Sequence, residues 1–367
     1  MTPDELIESL KVAGKLKTTY RHCETTPGRR ESVGEHSWRV ALMALLLANE
    51  PEFADVDMNK VVRMGLLHDL GEAFTGDVPS FYKTDENVTT ENAQFHTWLA
   101  SFSDPNRSEL LKTQLEIERM ETREARVFKA LDKLEAVLSH VESNLSSWAP
   151  HEFFMQYSYG RKESAFSEYL TKVKDVLDEQ TKRKVSSEAP EKAERANRLP
   201  PPEAEYVFRL CRAEEIRDVF QIILDRMKWM DEVGIDHWNN YHYDELFPLS
   251  HYETKQKASE LFVLEKREPN LIVATATLLE HDARWPDKEP ALYAHNFAAK
   301  VGEHGAGALF LLFAEDLAKR RGKKYLRVDV LERSDALFRY YESAGFVKCG
   351  TCVDGFYRGV LYQKLIQ

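Results

Sequence analysis

GLLHDLGEAFTGDVP, residues 65–79, places four ionisable side chains, His68, Asp69, Glu72 and Asp77, at the end of a run otherwise suited to burial. On a helix, residues four apart share a face, so His68 and Glu72 look the same way and Asp69 sits one step round. An adjacent imidazole and carboxylate can bind one cation from a helix end, but a divalent ion takes more than two protein ligands. Two further helical segments offer them. His36 in GEHSW precedes the apolar run RVALMALLLA, and Asp132 in KALDKLEA lies beside a stripe of Val127, Leu131, Leu134, Leu138 and Val141. Such groups at a core edge are costly unless a cation or hydrogen bonds satisfy them. Taken singly, each reads more simply as a hydrogen-bonded core residue. Taken together, His36, His68, Asp69 and Asp132 describe one mixed nitrogen and oxygen metal site with positions open to water and substrate.

Outward from this stretch, VGEHSWRVALMALLLANE (33–50), MNKVVRMGLLHDLGEAF (58–74) and ETREARVFKALDKLEAVLSHVES (121–143) carry apolar residues at helical spacing, and the first half reads as nearly all α. Residues 180–203, QTKRKVSSEAPEKAERANRLPPPE, have almost no large apolar side chains and end in a triple proline, the composition of an extended linker. Beyond it, strands alternate with helices. YVFRLCR, ELFVLEKR, NLIVATATLLEHD, ALYAHNFAAKV and KYLRVDVL read as strands. EEIRDVFQIILDRMKWMDEVG, GAGALFLLFAEDLAKRRG and SDALFRYYESAG read as helices, and two closing strands follow. The expected architecture is multidomain: an all-α domain over 1–180, a linker over 181–203, and an α/β domain with a mixed sheet over 204–367.

A chain of 367 residues exceeds one ordinary core. With 43% hydrophobic and 30% charged residues it is a globular composition, and the net charge of -11 excludes a general basic surface for nucleic acid. No apolar run is long enough for a membrane span, and MTPDELIESLKVAGK lacks a signal-peptide core, so a cytoplasmic protein is expected. Cys23, Cys211, Cys349 and Cys352 are too scattered for a disulfide framework. CGTC (349–352) has half-site spacing without a second half, and a plain turn between two strands is expected there.

ESVGEHSWRVALMALLLA, LLHDLGEAFTGDVP and EARVFKALDKLEAVL resemble the three signature blocks of HD-superfamily metal-dependent phosphohydrolases, in particular the 5′-deoxynucleotidase branch, over roughly residues 10–150. The resemblance implies an all-α fold with a divalent cation (Mn, Co, Fe, Zn or Mg) held by His36, His68, Asp69 and Asp132. It also implies Glu72 and Asp77 as catalytic carboxylates, a nucleoside 5′-monophosphate as substrate, and a homodimer. In such a site the cation activates water and polarises a phosphoryl oxygen. Glu72 would orient or deprotonate the water, and Asp77 would handle a proton at the leaving 5′-oxygen or position the water. A phosphate dianion also needs a positive clamp. Arg21, in LKTTYRHC, and Arg30, before ESV, are the candidates, since a guanidinium donates two parallel hydrogen bonds. His22 and Cys23 stand where relatives usually carry an aromatic residue.

VGEHGAGALFLLFAEDLAKRRG (301–322) follows a strand and opens a helix, and bare backbone N–H groups at a helix start bind anions. LRVDVLERSDALFRYYESAGFVKCG then resembles the C-terminal half of GNAT-type N-acetyltransferases, with Tyr341, Gly345 and Phe346 as Y-x3-G-F. Over residues 204–366 the resemblance implies acetyl-CoA with its pyrophosphate on 302–308 (Gly302, Gly305, Ala306, Gly307, Ala308). Its pantetheine would run near Phe297 and Ala298 to Lys300, and Tyr341 would protonate the departing thiolate. Gly302 stands where the loop usually begins with Gln or Arg, and Ser334 where many members have Asn. Glu280 and His295 are candidate bases for an amine acceptor, and Trp229 and Trp238 fall where the acceptor pocket is built. The reading is a bifunctional enzyme without nucleic-acid or membrane partners. Its alternative is a phosphohydrolase whose GNAT domain is a non-catalytic acetyl-CoA sensor or interaction module.

Overall fold

The computed structural model describes residues 1–190, 205–235 and 238–366. The chain divides into two compact units, Met1–Trp148 with Glu152–Glu194, and Ala149–His151 with Arg195–Gln367.

In the first unit the helices are α1 (Pro3–Gly14), α2 (Val33–Leu46), α3 (Met58–Leu67), α4 (Glu72–Thr75), α5 (Asp85–Ala100), α6 (Asn106–Arg119), α7 (Arg123–Glu142), α8 (Glu152–Met155), α9 (Arg161–Ser164) and α10 (Glu168–Glu188). The starts of the three site-bearing helices are fixed locally. Ser32 accepts from Glu35 N while Ser32 N donates to the Glu35 carboxylate, a reciprocal cap on α2. Asp57 caps α3 and Thr122 caps α7 by accepting from backbone N–H groups. These three helices pack through Val40, Ala44, Val61, Met64, Phe128, Leu131 and Leu134, all buried. Each of these side chains larger than alanine contributes roughly 1.5–3 kcal/mol on burial. At Gly65 the fit is close: a Cβ there would lie 3.0 Å from Ala41 N and 3.2 Å from Ala41 Cα, so α2 and α3 approach backbone to backbone.

The unit is helical as expected, with one addition and one changed boundary. β1 (Tyr20–Thr26) and β2 (Arg29–Ser32) form an antiparallel hairpin. The segment expected as linker from residue 181 begins inside α10, because Leu177, Thr181 and Val185 continue one buried stripe at four-residue spacing. Its greater part, residues 191–203, lies outside the described residues.

The second unit is a seven-stranded mixed sheet of β3 (Tyr206–Leu210), β4 (Leu261–Lys266), β5 (Leu271–Leu279), β6 (Ala291–Ala299), β7 (Tyr325–Leu331), β8 (Val347–Asp354) and β9 (Tyr357–Leu365), in the order β3-β4-β5-β6-β7-β9-β8. All neighbours are antiparallel except β6 and β7. Those two pair only over Ala291↔Tyr325, Leu292↔Leu326 and Tyr293↔Arg327, then separate, opening a wedge in the middle of the sheet. The helices are α11 (Ile216–Glu232), α12 (Tyr243–Leu246), α13 (Leu249–Lys257), α14 (Ala306–Arg320) and α15 (Asp335–Ser343). Val219, Ile222 and Ile223 of α11 pack on Leu261, Val263 and Ile272. Phe310 and Phe313 of α14 pack on Phe208. This is the mixed-sheet arrangement with flanking helices expected from the sequence. Cys349 and Cys352 lie within β8 rather than in a turn: the chain passes the glycine between them through a register shift and stays paired with β9.

Candidate metal and catalytic sites

His36 comes from α2, His68 and Asp69 from the end of α3, and Asp132 from α7. The structure brings all four together. His36 Nε2 lies 3.4 Å from His68 Nε2, 3.2 Å from Asp132 Oδ1 and 3.6 Å from Asp69 Oδ2. His68 Nε2 lies 3.0 Å from Asp69 Oδ2 and 3.8 Å from Asp132 Oδ1.

The outward nitrogens of both rings are committed elsewhere. His68 Nδ1 is 2.9 Å from Gly65 O, and a carbonyl only accepts, so that nitrogen carries the proton. His36 Nδ1 donates to Glu135. In its neutral form each ring therefore turns an Nε2 lone pair toward the same point as two carboxylate oxygens. Such orientation by a neighbouring acceptor is what metal-ligating histidines require, so the donor set fits a divalent cation. Burial and the Arg21 charge pull His36 down, but Glu135 and Asp132 outweigh them and raise it to about 9. The cluster is thus rich in negative charge without a cation.

Glu135 was not singled out from the sequence. It is fully buried on α7, and besides His36 it faces Arg21 at 3.2 Å and Arg39 at 3.3 Å. Its sequence signal is its position one turn after Asp132, on a helix whose other buried residues are mostly apolar.

Glu72, at the start of α4, is buried, and its Oε2 has no hydrogen-bond partner among the described residues. Burial, then the charges of Asp69 and Asp77, push it up to about 10. Asp77 follows Gly76 in the TGDVP turn. Burial raises its pKa, against the charge of Arg21. Lys83 lies 3.7 Å from Glu72 Oε1 and 2.6 Å from Glu91 Oε2, a basic group that sequence reading did not pick out. Arg21 reaches the cluster: its Nη1 is 3.4 Å from Glu31 and 3.2 Å from Glu135. Arg30 does not converge on it. Its guanidinium donates to the backbone carbonyls of Arg21 (2.6 Å) and Tyr20 (3.1 Å) on the exposed side of the hairpin.

The sequence pattern of the HD domain family matches residues 13–174. A 5′-deoxynucleotidase HDDC2 of Dictyostelium discoideum is 31% identical over 144 residues, spanning 37% of this chain and 76% of that protein. The chain belongs to the HD-domain family. Among solved structures, a predicted metal-dependent phosphohydrolase from Magnetospirillum magnetotacticum is 28% identical, covering 49% of this chain and 95% of that one at a TM-score of 0.42. A GNAT-family acetyltransferase from Listeria monocytogenes is 21% identical, covering 44% of this chain and 96% of that one at a TM-score of 0.38. Membership of the HD family implies a divalent metal for the first unit.

In the second unit of this HD protein, the wedge between β6 and β7 holds His295. Its Nε2 is 3.0 Å from Asp282 Oδ2 and its Nδ1 3.4 Å from Asp329 Oδ1, while Arg284 pairs with Asp329 at 3.1 Å. Burial raises the Asp282 carboxyl, but the hydrogen bonds from His295 and the Arg284 backbone, together with the charges of both residues, outweigh it and hold the group low. Asp282 and Asp329 were not identified from sequence. Glu280, the other candidate base, is instead a surface residue paired with Lys323 at 2.7 Å and Arg321 at 3.2 Å.

Gly302 and Gly305 both have positive φ, +90° and +80°, and Gly305 immediately precedes Ala306, the first residue of α14. Gly307 and Ala308 complete its first turn. A Cβ on Gly307 would meet the Tyr340 hydroxyl at 3.0 Å and Phe297 at 3.4 Å, so the glycine permits a close approach. Phe297 also packs on Phe310, and Ala298 is buried in the core. Tyr341 is buried among Tyr340, Phe346 and Tyr362. Trp238 stacks on Tyr243, whose hydroxyl accepts from Asn296 on β6, placing this aromatic group beside the wedge strand. Trp229 lies against the Arg226 guanidinium.

Proposed function

We propose that the HD unit hydrolyses nucleoside 5′-monophosphates to nucleoside and inorganic phosphate, and that the mixed-sheet unit transfers an acetyl group from acetyl-CoA to an amine. The observation that carries the first activity is the convergence of His36 Nε2, His68 Nε2, Asp69 and Asp132 with both Nδ1 positions committed. A divalent cation held there supplies Lewis-acid polarisation of the phosphoryl group and activation of water. Arg21 binds the phosphate dianion, and Glu135 and Glu31 hold its guanidinium in place. Glu72 Oε2, without a hydrogen-bond partner among the described residues, accepts a hydrogen bond from the attacking water and orients it. Asp77 delivers a proton to the leaving 5′-oxygen. The 5′-deoxynucleotidase name of the Dictyostelium relative points to deoxyribonucleotides as the substrate class. The test is phosphate release from ribo- and deoxyribonucleoside monophosphates with and without divalent metal. Activity that survives both a chelator and Asp69→Ala rejects the assignment.

For the second unit, His295 takes a proton from the acceptor ammonium. The amine nitrogen then bonds to the acetyl carbonyl carbon, the carbon–sulfur bond breaks, Tyr341 gives a proton to the CoA thiolate, and the proton shed by the newly acylated nitrogen restores the Tyr341 phenol. The glycine turn at 302–308, opening α14 with bare backbone, holds the pyrophosphate. The acceptor sits among Asp282 and Asp329, which suits a cationic amine.

A second reading, an acetyl-CoA sensor, draws on Ser334, whose side chain makes no capping hydrogen bond to α15. Calorimetry with acetyl-CoA and an amine panel separates the two. Binding with turnover supports transfer, and binding without it supports the sensor.

A further inference from the structure

His22, the residue after Arg21 on β1, belongs to a second convergence. Its Nε2 lies 3.1 Å from His140 Nε2 on α7, and both nitrogens approach one oxygen, Glu152 Oε1 on α8, at 2.5 Å and 3.0 Å. The His140 and Glu152 side chains are 5% and 1% exposed, whereas His22 is 29% exposed, so the cluster opens toward solvent on one side only. His140 Nδ1 is 2.9 Å from Ala136 O and therefore carries that ring's proton, leaving an Nε2 lone pair in the neutral form. Trp148 packs edge-on to the His140 ring and donates to His140 O, which holds the end of α7 in place.

Protons satisfy this geometry only in part. Glu152 Oε1 can accept from both rings, which leaves the 3.1 Å contact between the two Nε2 atoms without a hydrogen bond. With a proton on His22 Nε2 only, His140 Nε2 and Glu152 Oε1 set lone pair against lone pair. With a proton on both, two N–H groups face each other across 3.1 Å. A single cation facing three lone pairs satisfies every edge.

We propose that His22, His140 and Glu152 form a second divalent-cation site, separate from the His36, His68, Asp69 and Asp132 set, for a borderline ion of the zinc or cobalt(II) class. Two imidazoles and one carboxylate suit those ions, while magnesium and calcium favour all-oxygen sets. Three protein ligands leave a coordination position free on the side of His22. The ion and its ligands carry a net charge of +1 beside Arg21, so that position suits an anionic or water ligand. The inference does not depend on the hydrolytic reading, because it concerns metal stoichiometry alone.

The test uses metal-stripped, untagged full-length protein titrated with zinc, followed by calorimetry and elemental analysis, with cobalt(II) absorption as a second readout. Wild type is expected to bind two zinc ions per chain. Asp69→Ala is expected to lose one and keep the other. His22→Gln and Glu152→Gln are each expected to lose the complementary ion, and to remove the intense low-coordinate cobalt(II) bands that persist in Asp69→Ala. His22→Gln spares the core, and a melt in chelator that matches wild type confirms its fold. Zinc binding by His22→Gln equal to wild type, or no zinc bound by a folded Asp69→Ala, overturns the proposal.

Discussion

His36 and His68 in the HD unit and His295 in the mixed-sheet unit all stand among carboxylates, yet they differ in where the second ring nitrogen goes. In the HD unit each Nδ1 is tied to an acceptor of its own, Glu135 or Gly65 O, and the two Nε2 atoms turn to one shared point. In the wedge, both nitrogens of His295 face carboxylates, Asp282 and Asp329. The first arrangement offers lone pairs to a cation. The second offers a ring held ready to take or release a proton. In the proposed reading the same residue types serve different chemistry, and the placement of acceptors around the ring decides which.

Four experiments sharpen or break this contrast. The largest effect is expected from Asp69→Ala: phosphate release falls by about 10³-fold or more, as losing several kcal/mol of charge stabilisation requires, while acetyl-CoA binding is unchanged. Equal losses in both activities would break the separation of roles. His295→Gln is next, lowering acetyl transfer by roughly 10²-fold with an altered pH–rate profile and no change in metal content. Loss of metal from that variant would place a cation in the wedge instead.

Glu135→Gln keeps the shape and weakens the hold on His36 and Arg21. Metal affinity measured by competition with a chelator is expected to drop on the order of 10- to 100-fold. The smallest effect concerns acid stability of the mixed-sheet unit. Burial raises Glu215, but the hydrogen bonds from Arg209 and the Arg212 backbone, together with the charges of both arginines, outweigh it and hold the carboxyl below its ordinary value. Its contribution is therefore complete above the unfolded carboxylate range, near pH 4.5, and is lost as pH falls through the depressed folded value. A melt series from pH 6 to 3 should show a shallower decline for Glu215→Gln than for wild type. Parallel declines would show that this pair does not set the acid limb.

The helices and strands were legible because their apolar spacing repeats over many residues, as in α2, α7 and β5. The four converging donors were legible for a related reason: a His or Asp beside an apolar stripe is conspicuous. The hairpin of β1 and β2 was not, since its buried positions are Cys23, Glu31 and Ser32 rather than alternating hydrophobics. Glu135 looked like any helical glutamate because the groups that neutralise it, Arg21, His36 and Arg39, lie about a hundred residues away. His140 and Glu152 were hidden in the same way. Asp282 and Asp329 gain meaning only once β6 and β7 part. Arg30 and Glu280 show the converse: a plausible charge in sequence becomes a surface contact when its neighbours are known.

Gly65 both lets two helices touch and supplies the oxygen that steers His68. One hydrogen atom in place of a methyl thus sets the bite of the ligand cage, as a shim sets the gap of a hinge. Gly65→Ala would spread the cage by a few tenths of an ångström without deleting a ligand, which makes it a means of retuning which ion the chain prefers.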